Sequence, residues 1–152
     1  MTEDFSGIEP ESGADSVDAE MVARAEAAVA ALGDNFSEWL TADVATASQA
    51  LETARSPETA ASGLETLYTT AHNIKGYSGT FGYELATDIA DSLCLLLKRA
   101  PGGGEAVLET AASHVKGLDL IVAHDIAGSG GPQGEALMAK LRAAVDRALG
   151  EG

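Results

Sequence analysis

The residues best suited to chemistry in this chain lie close together, at His72 and Lys75, in a stretch that also holds Gly76, Gly79 and Gly82. An exposed imidazole has a reference pKa of ~6.5, so near neutral pH it is largely uncharged and available as a nitrogen nucleophile. A lysine three residues on places positive charge one helical turn away, where it can stabilise an arriving phosphoryl group. Each glycine inside a helix costs up to ~1 kcal/mol relative to alanine, and alanine is used freely elsewhere in the chain. Their concentration here argues that another molecule's backbone must come close. Together these features fit phosphoryl transfer between two proteins, where positioning and charge stabilisation dominate.

Such a site needs one helix to present it. Leu64, Leu67, Ala71, Ile74, Ser78 and Phe81 recur at three- and four-residue spacing. This seam predicts a helix that persists to about Thr80. Ser56-Pro57-Glu58 would open it, as cap, first-position proline and dipole-favoured acid. At 100° per residue, His72 lies away from the centre of the seam, with Lys75 about 60°, Gly76 about 40° and Gly79 about 20° from it. Tyr68 and Glu65 flank it one and two turns earlier. The alternative, a helix ending near Gly76 with the glycines in a turn, is disfavoured because Ile74, Ser78 and Phe81 continue the seam.

The remaining elements are also helical. Val22, Ala25, Val29 and Leu32 predict a first helix that Gly33 stops, and Asp34 is placed to cap a second, with Phe36, Trp39 or Leu40, Val44, Ala47 and Leu51 on its stripe. A fourth is expected from about Tyr83 to Arg99, seamed by Leu85, Ile89, Leu93 and Leu96 and ended by Pro101-Gly102-Gly103-Gly104. Leu108, Ala111, Val115, Leu118 and Val122 mark a fifth. After the break at 128–132, Leu137, Leu141, Val145 and Leu149 mark a sixth. Short connections imply antiparallel neighbours, hence an all-α, up-and-down bundle. Residues 1–16 carry acids, Gly7, Pro10 and Gly13 without Lys or Arg, and read as a disordered acidic tail before one domain at 17–150.

Composition excludes several function classes. With 9 basic and 24 acidic residues, the net charge of −15 repels phosphate backbones and anionic lipid, so neither nucleic acid nor a membrane surface is an expected partner. A single cysteine precludes an intramolecular disulfide, and with three scattered histidines it offers no metal-ligand spacing. Cys94 reads as a small core residue. Glu84 and Asp88 read as solvated helix faces, and His114 and His124 as ordinary core or surface residues. No apolar run approaches the ~18 residues of a membrane span, and Met1 is followed by acids rather than a signal peptide. A cytoplasmic location is the expectation.

The run from Ala71 to Gly82 resembles the His-containing phosphotransfer (HPt) domains of multistep phosphorelays. Their pattern, His-x-x-Lys-Gly-x-Ser/Ala-x-x-apolar-Gly, is met at His72, Lys75, Gly76, Ser78, Phe81 and Gly82. Leu93-Cys94 and Leu97 are similar to the family's downstream Leu-Cys-x-x-Leu, although Lys98 stands where a glutamate is usual and Tyr77 is bulkier than common. The resemblance implies a four-helix bundle of the second to fifth helices, with the first and last as additions. It implies that His72 accepts phosphate, on Nε2 by family habit, and that Lys75 supplies charge beside it. Tyr68, Gly76 and Gly79 would form the docking surface, while Ser78, Phe81 and Gly82 would serve packing. The partners implied are receiver domains of hybrid sensor histidine kinases and response regulators in bacteria. These would bring the Mg²⁺, leaving the chain without a cofactor or catalytic centre of its own, and a monomer would suffice.

Two other readings use the same bundle. The phosphoacceptor domain of a chemotaxis-type histidine kinase has this fold, but no glycine-rich nucleotide-binding sequence follows here. A non-phosphorylated adaptor that sequesters a receiver would not require His72.

Overall fold

The computed structural model describes the backbone of residues 11–150 and their side chains except 11–17 and 29–33. Among these residues the chain is all-helical, with five helices: α1 (Glu11–Ala54), α2 (Ala60–Ser78), α3 (Glu84–Arg99), α4 (Glu105–His124) and α5 (Gly131–Ala148). The described residues divide into two units, one ending at Asn35 and the other beginning at Phe36.

The expected break at Gly33 does not occur. α1 runs through it for 44 residues, so the first two expected helices are one and Asp34 caps nothing. An interior glycine costs only ~1 kcal/mol, and without a following proline the helical residues on both sides outweigh it. Residues 11–16 of the expected tail are likewise helical, while residues 1–10 lie outside the described residues. Within the first unit, Val22 and Ala25 of the expected seam are exposed, whereas Val29 and Leu32 are among the undescribed side chains.

The start of α2 also differs from expectation. Ser56 and Pro57 form a turn in which the Ser56 carbonyl accepts the Thr59 N–H, with proline at its favoured second position. Thr59 is then the residue before the helix, and its hydroxyl donates to the Thr53 carbonyl at 2.7 Å instead of capping α2. At the other end α2 stops at Ser78, two residues short of Thr80. α5, by contrast, begins with Pro132 in its first turn, where the missing N–H costs nothing.

In the second unit α2 packs against α3, α3 against α4 and α5, and α4 against α5. The core takes Phe36, Leu40, Val44 and Leu51 from α1, Leu67 and Ile74 from α2, and Ile89, Leu93 and Leu96 from α3. Leu118 and Ile121 of α4 join Leu141 and Val145 of α5. Fully burying each such leucine or isoleucine contributes about 1.5–3 kcal/mol. α1 and α2 approach closely at Gly63, where a Cβ would lie 2.6 Å from the Ala54 amide nitrogen and 2.7 Å from the Ala50 carbonyl oxygen.

One polar cluster is sealed in this core. His114 is 0% exposed, with Nδ1 2.7 Å from the Thr110 carbonyl and Nε2 2.8 Å from Ser92 Oγ. A carbonyl only accepts, so Nδ1 carries the proton and Nε2 accepts from the serine hydroxyl. Both ring nitrogens are thereby satisfied in the neutral imidazole, and burial pushes the histidine's pKa down against the opposing pull of the Thr110 carbonyl.

The turn leaving α2 is tied to the loop before α5. Gly82 adopts φ +81°, a conformation that glycine alone reaches cheaply. Its carbonyl accepts the Gly128 N–H at 2.8 Å, and the Gly128 carbonyl accepts the Leu85 N–H at 2.8 Å. Tyr83 Oη donates to Asp125 at 2.6 Å, which raises the phenol's pKa to about 12.

Candidate functional site

α2 presents His72 because its seam faces inward. Leu67, Thr70, Ala71, Ile74 and Ser78 are buried, which turns His72, Lys75, Gly76 and Gly79 outward, all four exposed. Among the described residues no hydrogen bond or ion pair engages either nitrogen of the His72 imidazole. Tyr68, half-buried one turn earlier, stacks on it with ring centroids 6.2 Å apart and planes 29° apart.

The two flanks of His72 differ in character. On the side of Gly76 and Tyr77 lies an open groove of about 750 Å³, walled by Trp39 and Asp43 of α1 and reaching Phe81 beyond the end of α2. Its aromatic wall is built on Phe36, which stacks on Tyr83 at 4.0 Å and meets Tyr77 edge-on at 5.8 Å. Tyr77 Oη donates to Asp43 at 2.8 Å, and burial together with that bond raises the phenol's pKa. Tyr77 is therefore a fixed, neutral part of the wall. Trp39 contacts Tyr77 and Phe81 edge-on at 5.6 Å yet remains 47% exposed. Leu40 takes the core position that sequence spacing left open between the two.

On the opposite flank Lys75 is not free. Its Nζ lies 2.9 Å from Oδ1 of Asp91 on α3, with the two side chains 46% and 61% exposed. Hydrogen bonding to that carboxylate, and then its charge, holds the ammonium above the ordinary lysine value. Cys94 is close enough to feel both charges, but burial dominates and pushes its thiol pKa up, away from the reactive thiolate.

The motif residues separate by role. His72 and Gly76 share the groove with Phe81, while Lys75 and Tyr68 lie on the other flank and Gly79 is outside the groove lining. A Cβ on Gly76 would meet nothing within 4 Å, and one on Gly79 only Thr87 Oγ1 at 3.6 Å. Neither glycine is required by packing within the chain. Gly82 is not a packing residue either: no neighbour lies within 4 Å of its would-be Cβ, and its backbone conformation is what demands glycine. Ser78 packs in the core, and its buried hydroxyl has no hydrogen-bond partner among the described residues.

Sequence reasoning missed Asp91 and Asp43, which join the site across helices from 16 and 34 residues away; no local spacing signals such pairs. Among the described residues no cluster of three or more His, Cys, Asp or Glu could hold a metal ion. Nor is any described helix long and apolar enough to cross a membrane.

The His72 imidazole is thus exposed, with a lysine one turn away, on a helix where a side chain at Gly76 or Gly79 would clash with nothing. The model of the Hpt domain family matches residues 31–149, so the match covers both flanks of this site. No curated protein and no solved structure gives a significant match. The chain therefore belongs to the Hpt domain family, whose members carry phosphoryl groups on histidine in two-component phosphorelays.

Proposed function

We propose that this protein is a phosphocarrier in which His72 accepts a phosphoryl group from a receiver-domain aspartate and passes it to another receiver. The observation that carries this reading is the exposed His72 ring, its nitrogens without a hydrogen bond among the described residues, beside surface left open at Gly76 and Gly79. In the forward step Nε2 of the neutral imidazole attacks phosphorus. The N–P bond forms as the acyl phosphate's P–O bond breaks, the electron pair leaves with the aspartate as carboxylate, and Nδ1 keeps its proton. Lys75 stabilises the charge gained on the histidine, and Mg²⁺ belongs to the receiver's side of the reaction. The chain needs no ATP site for this, because the phosphoryl group arrives already activated.

The scaffold for the reading is a four-helix bundle made by the second half of α1 with α2, α3 and α4, to which α5 is an addition. It acts as a monomer in the bacterial cytoplasm, between hybrid sensor kinases and response regulators.

The test is incubation with a phosphorylated receiver and Mg²⁺. Wild-type protein should acquire an acid-labile, alkali-stable phosphoryl group, His72→Gln should not, and ATP alone should label neither. Labelling of His72→Gln, or failure of the wild type with every receiver of the source organism, overturns the proposal.

A further inference from the structure

Lys75 carries the positive charge nearest His72 along α2, yet in the unphosphorylated structure that charge is already held by Asp91 at 2.9 Å. The contact is reinforced by geometry: α3 packs directly on α2, so the carboxylate is delivered by a rigid neighbour rather than by a mobile loop. Both side chains keep substantial exposure, 46% and 61%, so neither is locked in place by surrounding atoms. Exposed pairs of this kind are weak enough to be exchanged for a better partner. A phosphoryl group on His72, with close to two negative charges and three acceptor oxygens, is such a partner, one helical turn from the lysine stem.

We infer that Asp91 is a positioning residue that holds Lys75 while His72 is unmodified and competes for it once His72 is phosphorylated. The competition makes the phosphohistidine less stable than the lysine alone would make it, and so favours passing the phosphoryl group onward. Asp91 does not touch the reacting atoms; it acts through Lys75. This inference rests on His72 being the phosphoacceptor.

The experiment measures the equilibrium constant for transfer between a phosphorylated receiver and the protein, in wild type, Asp91→Asn, Lys75→Met and the double variant. Asp91→Asn should shift the equilibrium toward phosphohistidine by about two- to five-fold, the range expected from loss of a weak exposed pair. Asp91→Glu should restore wild-type behaviour. In the Lys75→Met background the Asp91→Asn change should have no effect, because there is no lysine left to compete for. In the unmodified protein, the NMR-detected pKa of the Lys75 ammonium should fall on Asp91→Asn substitution. An unchanged equilibrium in Asp91→Asn overturns the inference. So does an equal shift with and without Lys75, which would mean that Asp91 repels the phosphoryl group directly. Labelling of the wild type at His72 with no Asp91 effect removes this inference alone, whereas no labelling at all removes the phosphotransfer reading and this one with it.

Discussion

The sealed His114 makes stability depend on pH in a way that can be isolated. In the folded protein its two ring nitrogens are matched to Thr110 and Ser92 in the neutral form, and burial holds its pKa below the ordinary histidine value. In the unfolded chain it titrates near ~6.5. Between that value and the lower folded one, the unfolded state binds more protons than the folded state, so stability must fall as pH falls. If the folded imidazole stays neutral throughout, lowering pH from 7.5 to 5.5 removes about 1.4 kcal/mol from this one group. For a chain of this size that corresponds to roughly 3–5 °C in Tm. The assay is urea unfolding at both pH values, for wild type and for His114→Gln. The variant should be less stable at pH 7.5, by about 1–3 kcal/mol, because a buried network is broken. Its further loss on going to pH 5.5 should nevertheless be smaller than that of the wild type, by up to about 1.4 kcal/mol. All other titrating groups are common to the two proteins and cancel in the difference. Equal losses in the two proteins would refute the reasoning.

Three further substitutions test how the glycines and Ser78 are used. Gly79→Leu should leave urea stability unchanged or slightly raised, since Gly79 has φ −64° and ample space, but should weaken receiver binding at least about tenfold by calorimetry; undiminished affinity would show that nothing approaches there. Gly63→Ala should do the reverse, losing about 1–2 kcal/mol in urea because its Cβ meets the backbone of α1 and neither helix can yield cheaply. Ser78→Ala should keep or raise the urea midpoint, by about 1 kcal/mol at most, because it removes a buried hydroxyl that has no partner; a marked drop would reveal a bond that the structure does not contain.

Helical periodicity made most of the core legible. Leu67, Ala71, Ile74 and Ser78, and then Leu85, Ile89, Leu93 and Leu96, are buried where their spacing placed them. This works because a seam is a local property, repeated every turn, and the motif around His72 lies on it. What escaped is of two kinds. Helix ends depend on small competing terms, so Gly33 was a plausible stop that the surrounding helix overrode, and Ser56 was a plausible cap displaced by a turn. Pairs between helices depend on rotation and register, which no single helix encodes. Thus Lys75 was visible as a charge but not as a charge already engaged by Asp91, and His114 was visible only as a histidine, not as half of a buried bond to Ser92. Trp39 and Leu40 could not be ranked from spacing alone, since adjacent positions straddle the edge of the apolar stripe.

That last assignment has an optical consequence. The chain contains a single tryptophan, and it stands half in water on the wall of the groove that His72 shares, while the buried core holds none. Intrinsic emission from this protein is therefore a local signal. Any molecule that settles against Trp39 in the groove strips solvent from the indole and alters its colour and intensity, without a label and without a substitution at His72.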